Sequence, residues 1–262
     1  MRDNPSVGSI VELWSALDNG ELFVDYQAVF DVVTGSVRGA EALVRWNHPD
    51  LGVVLPSAFL TYALRDGVGR ALTEFVLDSA AGQCAEWRLQ GYDIPVSVNV
   101  SAAAMLSHDL LSLVGAVLDR RGLPADRLTL EITEHACEVR NSQLRSTVTT
   151  LARMGVRLSL DDFGTGDSSL SRLQQLHFDE VKIDRSFVAN VTTQPTDRNI
   201  VEFAIRLAHS LGMRVVTEGV ETGEALAAVS ELGTDLVQGF LLHRPCPPAL
   251  FPCLQLPECQ VG

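Results

Sequence analysis

Val96-Ser97-Val98-Asn99-Val100-Ser101 and Leu128-Thr129-Leu130-Glu131-Ile132-Thr133 are the stretches that decide the fold. In both, every second residue is aliphatic, and hydroxyls, an amide and a carboxylate stand between. This is the period-2 alternation of a strand whose two faces meet different surroundings. The apolar phase is expected to face a layer of helices and the polar phase a common mouth. Working outward, the first of these runs starts at Ile94, and similar runs recur at Glu21–Phe30, Val37–Trp46, Val156–Asp161, Glu180–Asp184, Arg214–Glu218 and Leu236–Phe240. Helical patterns stand before the first at Ile10–Leu17 and after most others, near 56–90, 108–121, 140–153, 168–176, 197–211, 222–232 and 247–254.

Eight strands alternating with helices in 262 residues predict an α/β protein with a parallel sheet, of the size of a TIM (β/α)8 barrel. One connection breaks the rule. Only Asp31–Ser36 joins the first two strands, too short for a parallel crossover, so the first strand is expected to run antiparallel to its neighbour. The expected fold class is a modified TIM barrel with an antiparallel first strand. No Pro/Gly/Ser-rich linker divides the chain, which predicts a single domain over 9–256 with tails at 1–8 and 257–262 and no attached sensor.

Composition narrows the function. Thirty-three acidic and 20 basic side chains give a net charge of −13, and without a basic run the chain is not expected to hold a nucleic-acid polymer by counter-ion release. No stretch stays apolar long enough to span a bilayer and the start lacks a secretory pattern, so membrane insertion is not expected and the location is expected to be cytoplasmic. The five cysteines form no C-x-x-C pair and are read as thiols without a framework role. The six histidines and three tryptophans are read as structural, with no H-E-x-x-H spacing among the histidines. Asp162-Phe163-Gly164 is shared with the kinase metal motif, but no glycine-rich loop or H-R-D segment accompanies it.

Glu41 stands on the second predicted strand, Asn99 on the third, Glu131 on the fourth, Asp161 and Asp162 on the fifth, Lys182 on the sixth, Glu218 on the seventh and Gln238 on the eighth. Active sites of such barrels lie at the C-terminal face of the strands. One acid there is explained by a solvated strand end, but five converging carboxylates would repel and take up protons unless cations shared the site. Hard oxygen ligands suit Mg²⁺, Mn²⁺ or Ca²⁺. Adjacent Asp161 and Asp162 suit a bridged metal pair, an arrangement recurrent in phosphodiester hydrolysis.

The strings Glu41-Ala42-Leu43 with Val44-Arg45-Trp46-Asn47-His48-Pro49, Asn99-Val100-Ser101, Glu131-Ile132-Thr133-Glu134, Asp161-Asp162-Phe163-Gly164-Thr165-Gly166, Val181-Lys182-Ile183-Asp184, Glu218-Gly219-Val220-Glu221-Thr222 and Gln238-Gly239-Phe240 resemble, in order and spacing, the EAL-domain phosphodiesterases, from about Leu22 to Pro247. The resemblance implies hydrolysis of cyclic di-GMP to linear pGpG with two divalent cations, Mg²⁺ or Mn²⁺, and inhibition by Ca²⁺. It implies Glu41, Asn99, Glu131 and Asp161 as ligands of one metal, with Asp161, Asp162 and Glu218 serving the second. Lys182 is implied to hold the attacking water, and Glu221 and Gln238 to support the ligands. Gln27, Leu43 and Arg45 are implied substrate contacts, and Glu134 the anchor of the loop Asp162–Ser169. That loop is implied to link the site to the interface of a homodimer.

Four departures stand out: Ala28 where the family usually has proline, Leu64 where it has glutamate, Asp167 where it has tyrosine, and Thr217 where it has alanine. None removes an implied metal ligand. Leu64 lacks a carboxylate at the substrate end, and Asp167 adds a charge to the loop, so affinity and regulation are affected before chemistry. The alternatives are an EAL-like barrel that binds cyclic di-GMP or a partner protein without turnover, and an enolase-type site with Lys182 as base.

Overall fold

The structure, a computed structural model, describes residues 10–63, 68–138, 142–165 and 176–253. Helix α1 (Ile10–Asp18) leads into β1 (Leu22–Asp31), and β2 (Val37–His48) returns beside it in antiparallel register, with Gln27 opposite Glu41 and Asp25 opposite Leu43. The tight connection is set by Asp31, whose Oδ1 accepts the N–H groups of Val33 and Thr34, and by Gly35 at φ +67°. The remaining strands are β3 (Gly52–Val54), β4 (Val96–Asn99), β5 (Leu128–Thr133), β6 (Arg157–Phe163), β7 (Glu180–Ile183), β8 (Arg214–Thr217) and β9 (Leu236–Val237).

The sheet order β1-β9-β8-β7-β6-β5-β4-β2 closes through the β1–β2 pairing into an eight-stranded barrel. Strands β2 and β4 to β9 run parallel, and β1 is antiparallel to both neighbours. The modified TIM barrel read from the sequence is therefore the observed fold. Outside it lie α2 (Pro56–Ala63), α3 (Val68–Leu89), α4 (Ala102–Met105), α5 (Leu110–Arg121), α6 (Ser142–Met154), α7 (Arg185–Val188), α8 (Pro195–Ser210) and α9 (Gly223–Glu231).

The two strand faces carry separate cores. Val96, Val98, Leu128, Leu130, Ile132 and Leu158 point outward into the main core with Val114, Leu144, Val148 and Leu151 of the helices. Inside the barrel, Val29, Val216 and Leu236 form a small apolar layer of their own. Register sets Val216 beside Lys182 and Leu236 beside Val216, one inward position above the Glu180–Arg214 pair.

Several boundaries differ from the sequence reading. The helix expected over 56–90 is two helices, with 64–67 outside the described residues. Strand β3 was not expected; Gly52 at φ +70° turns the chain back after His48 and pairs it with β2. The last strand, expected to reach Phe240, stops at Val237, because Gly239 lies so close to Val220 that a Cβ there would sit 2.1 Å from the Val220 carbonyl oxygen. The helix expected over 168–176, the departures at Leu64 and Asp167, and Gly166–Ser169 fall outside the described residues. The C-terminal helix is a 3₁₀ segment, Pro248–Cys253. Trp46 and Trp87 are buried, whereas Trp14 stays 39% exposed. No helix among the described residues is long and apolar enough to cross a membrane.

Candidate active site

Alternation delivers the polar phase of seven strands to one mouth. Glu41 on β2, Glu131 on β5, Asp161 on β6 and Glu218 just beyond β8 converge on Lys182 Nζ at 3.3, 2.7, 3.7 and 2.6 Å. Lys182 is 2% exposed. Asn99 Nδ2 donates to Glu41 Oε1 at 2.7 Å and Gln238 Nε2 to Glu41 Oε2 at 2.8 Å. The same Gln238 nitrogen donates to Gln27 Oε1 at 3.2 Å, and Gln27 Nε2 donates to the His243 carbonyl at 3.0 Å.

Four carboxylates around one ammonium leave negative charge in excess in a buried space, where an unpaired charge is costly. The groups respond differently. Burial pushes Glu41 up, but Lys182 and the donors from Gln238 and Asn99 outweigh it and hold Glu41 below its ordinary value. For Glu131, burial and the charges of Glu41 and Asp161 win over Lys182 and raise the carboxyl well above the usual range. Burial also dominates at Glu218, pushed up to about 8. Lys182 is penalised by burial, yet Asp161, Glu131, Glu218 and Glu41 together raise it well above an ordinary lysine. The site thus holds an ammonium that its neighbours keep charged and, in Glu131 and Glu218, carboxyls whose proton affinity burial raises.

Asp162 stands beside this cluster, within electrostatic reach of Asp161 and Lys182. It is the one non-glycine at positive φ (+56°) among the described residues, and its N–H is held at 3.0 Å by Asp161 Oδ1. Burial, then the charges of Asp161 and Asp184, raise its carboxyl. The chain after it is tied down by Glu134, buried, whose Oε2 accepts the Gly164 N–H at 2.9 Å. Gly219 is required beside Glu218: it sits at φ +65°, and a Cβ there would lie 2.3 Å from that of Arg185. Glu221 is exposed and is not brought into the cluster.

Arg45 lies on the inner phase of β2, buried, with Nε 3.3 Å from Asp25 Oδ2 and Nη1 donating to the Val44 carbonyl at 3.0 Å. Burial lowers its pKa, offset by Asp25 and Glu41. Leu43 lines a largely apolar pocket of about 440 Å³ together with Leu60, Leu72, Val76 and Asn99, so the pocket adjoins the charged cluster. Sequence reasoning passed over Asp25 and His243. Asp25 was within reach, since it shares the phase of Gln27 and faces Leu43 across the first hairpin. The contact of His243 with Gln27 is made by a backbone carbonyl, which leaves no mark in the sequence.

Among the described residues no group of three or more histidine, cysteine or acidic side chains is disposed as it stands to hold a metal ion. The carboxylates are drawn onto Lys182 instead. Their chemistry nevertheless suits hard divalent cations: oxygen donors only, negative charge in excess, and a buried acceptor, Gln238 Oε1, with no donor among the described residues.

A family model described as the EAL domain matches residues 10–245. The cyclic di-GMP phosphodiesterase NbdA of Pseudomonas aeruginosa is 38% identical over 237 residues, 90% of this chain and 30% of that protein. The cyclic di-GMP phosphodiesterase PdeR of Escherichia coli is 34% identical over 240 residues, 91% of this chain and 36% of that one. The chain therefore spans roughly a third of the length of these relatives. A solved complex described as PaMucR phosphodiesterase with c-di-GMP superposes with a TM-score of 0.88 at 36% identity, over 91% of this chain and 97% of that one.

Proposed function

The chain belongs to the EAL-domain family, and we propose that it hydrolyses cyclic di-GMP to linear pGpG at the mouth of the barrel. The observation that carries this is the convergence of Glu41, Glu131, Asp161 and Glu218 on one buried lysine. Water oxygen attacks one phosphorus, the P–O3′ bond opposite breaks, and the ring opens to a 5′-phosphate and a 3′-hydroxyl. Glu41, Asn99, Glu131 and Asp161 would hold one divalent cation, and Asp161, Asp162 and Glu218 a second. When bound, Mg²⁺ or Mn²⁺ there supplies positive charge to the phosphate and leaving oxygens and lowers the pKa of water.

The protein's own groups have distinct tasks. Lys182, kept charged by its neighbours, donates through Nζ to the attacking oxygen and orients its lone pair. Glu218 Oε1, 2.6 Å from Nζ, helps keep Lys182 charged, and the proton that the water gives up ends on the leaving O3′. Asn99 and Gln238 fix the Glu41 carboxylate from both sides. Arg45 contacts a phosphate of the substrate by exchanging Asp25 for it, and Leu43 meets the adjacent apolar portion in the 440 Å³ pocket. The reading extends to a cytoplasmic homodimer coupled through the loop that starts at Asp162, supported by the resemblance and by the Glu134 to Gly164 tether.

The test is incubation of purified protein with cyclic di-GMP in Mg²⁺, Mn²⁺, Ca²⁺ or EDTA, with products separated by chromatography. The expected result is pGpG in Mg²⁺ or Mn²⁺, none in EDTA, and suppression by Ca²⁺. Binding without turnover in every metal would overturn the reading in favour of a receptor.

A further inference from the structure

The barrel is closed on one side by almost no strand. Strand β9 contributes only Leu236 and Val237, which pair with Asp31 and Phe30. The rest of that edge of β1, from Tyr26 to Ala28, lies beside the chain that follows Gly239. Tyr26 and Cys246 exchange backbone hydrogen bonds at 2.8 and 3.0 Å, and the next free donor along the edge, the Ala28 N–H, is 3.4 Å from His243 Nδ1. The imidazole is half-buried, with its ring edge-on to Phe251 at 5.9 Å, and Phe251 stacks on Trp87 at 4.8 Å. Burial lowers the His243 pKa, in keeping with a neutral ring whose Nδ1 is an acceptor.

We infer that His243 is a positioning residue for the mouth: its ring and its carbonyl together fill the missing strand at the β1 seam and set the amide of Gln27. The carbonyl takes Gln27 Nε2, which leaves Gln27 Oε1 to face Gln238 Nε2, and that nitrogen in turn holds Glu41 Oε2. Rotating the Gln27 amide by half a turn would set two NH₂ groups face to face, so the carbonyl also fixes the Gln27 amide. The donor that His243 serves exists because residue 28 is alanine. Proline at that position has no N–H, and the ring would then have nothing to hold.

The inference rests on the phosphodiesterase reading only for its kinetic readout. His243→Ala is expected to expose the Ala28 amide to exchange, measured by NMR, and to lower kcat roughly three- to tenfold, about the worth of one neutral hydrogen bond, with a smaller change in KM. His243→Asn, whose side-chain oxygen sits close to the position of Nδ1, is expected to restore both. In an Ala28→Pro background His243→Ala is expected to cost nothing further. Equal behaviour of the alanine and asparagine variants, an Ala28 amide that exchanges at the wild-type rate in His243→Ala, or the full kinetic penalty in the Ala28→Pro background would overturn the inference. Wild-type protein that turns over no cyclic di-GMP would count against the proposed function alone, since amide exchange still tests His243.

Discussion

Glu180 and Lys182 sit two residues apart on the inner face of β7, and they anchor two polar layers with opposite accounts of charge. At the bottom, Arg214 reaches Glu180 Oε2 at 3.2 Å, and Lys182 and then Arg157 lend further positive charge. Burial still raises the Glu180 carboxyl, but this one acid has a base beside it. At the mouth one lysine faces four carboxylates. Val29, Val216 and Leu236 line, with both Glu180 and Lys182, a cavity of about 30 Å³, space on the order of one water. A balanced buried cluster completes a fold, whereas an imbalanced one is incomplete until something charged arrives.

The contrast can be broken from the mouth downward. Glu41→Ala or Asp161→Ala should abolish hydrolysis, by about 10³-fold or more, while circular dichroism and the melting transition persist. Near-normal turnover with metal present would remove the mouth from the mechanism. Lys182→Ala should reduce kcat by roughly 10²- to 10³-fold and leave metal-dependent cyclic di-GMP binding in place. A loss of affinity as large as the loss of rate, read by calorimetry, would make Lys182 a substrate clamp.

Smaller effects sharpen it. Glu134→Ala touches no proposed ligand but frees the Gly164 N–H, two residues from Asp162, and displacements of about an ångström can cost up to about 10²-fold. Roughly tenfold lower activity, recovered in part by higher Mn²⁺, is the expected result in a metal titration. Glu180→Gln at the bottom should leave turnover within about twofold and lower Tm by only a few degrees, the scale of about 1 kcal/mol in a chain of this size. A large loss of activity in that variant would show that the two layers are not separate.

What the sequence disclosed followed local rules. Leu128–Thr133 and Val96–Ser101 announce strand, face and mouth through alternation alone, and the short Asp31–Ser36 link gives away the antiparallel first strand. The gathering of Glu41, Glu131, Asp161, Glu218 and Lys182 was legible because each lies on, or just past, a strand in the phase that faces the barrel interior. What stayed hidden depends on contacts between distant backbones. The end of β9 is decided by Val220 against Gly239, the pairing of Arg45 by Asp25 across a hairpin, and the seat of Gln27 by a carbonyl 216 residues away. Glu221, read as a support for the ligands, is exposed because its motif leaves the barrel wall directly after Gly219.

The left-handed backbone at Asp162 bears on how this barrel would respond to engineering. A stabilisation protocol that scores backbone comfort would write glycine at 162, where φ is +56°, and gain on the order of 1 kcal/mol from relieved strain. It would delete a carboxylate next to Asp161 in the same stroke. Asparagine tolerates that conformation almost as well, so Asp162→Asn keeps the turn and removes only the charge. Such a protocol run on this chain would therefore improve its melting point at the expense of its mouth, and position 162 is the place to forbid it.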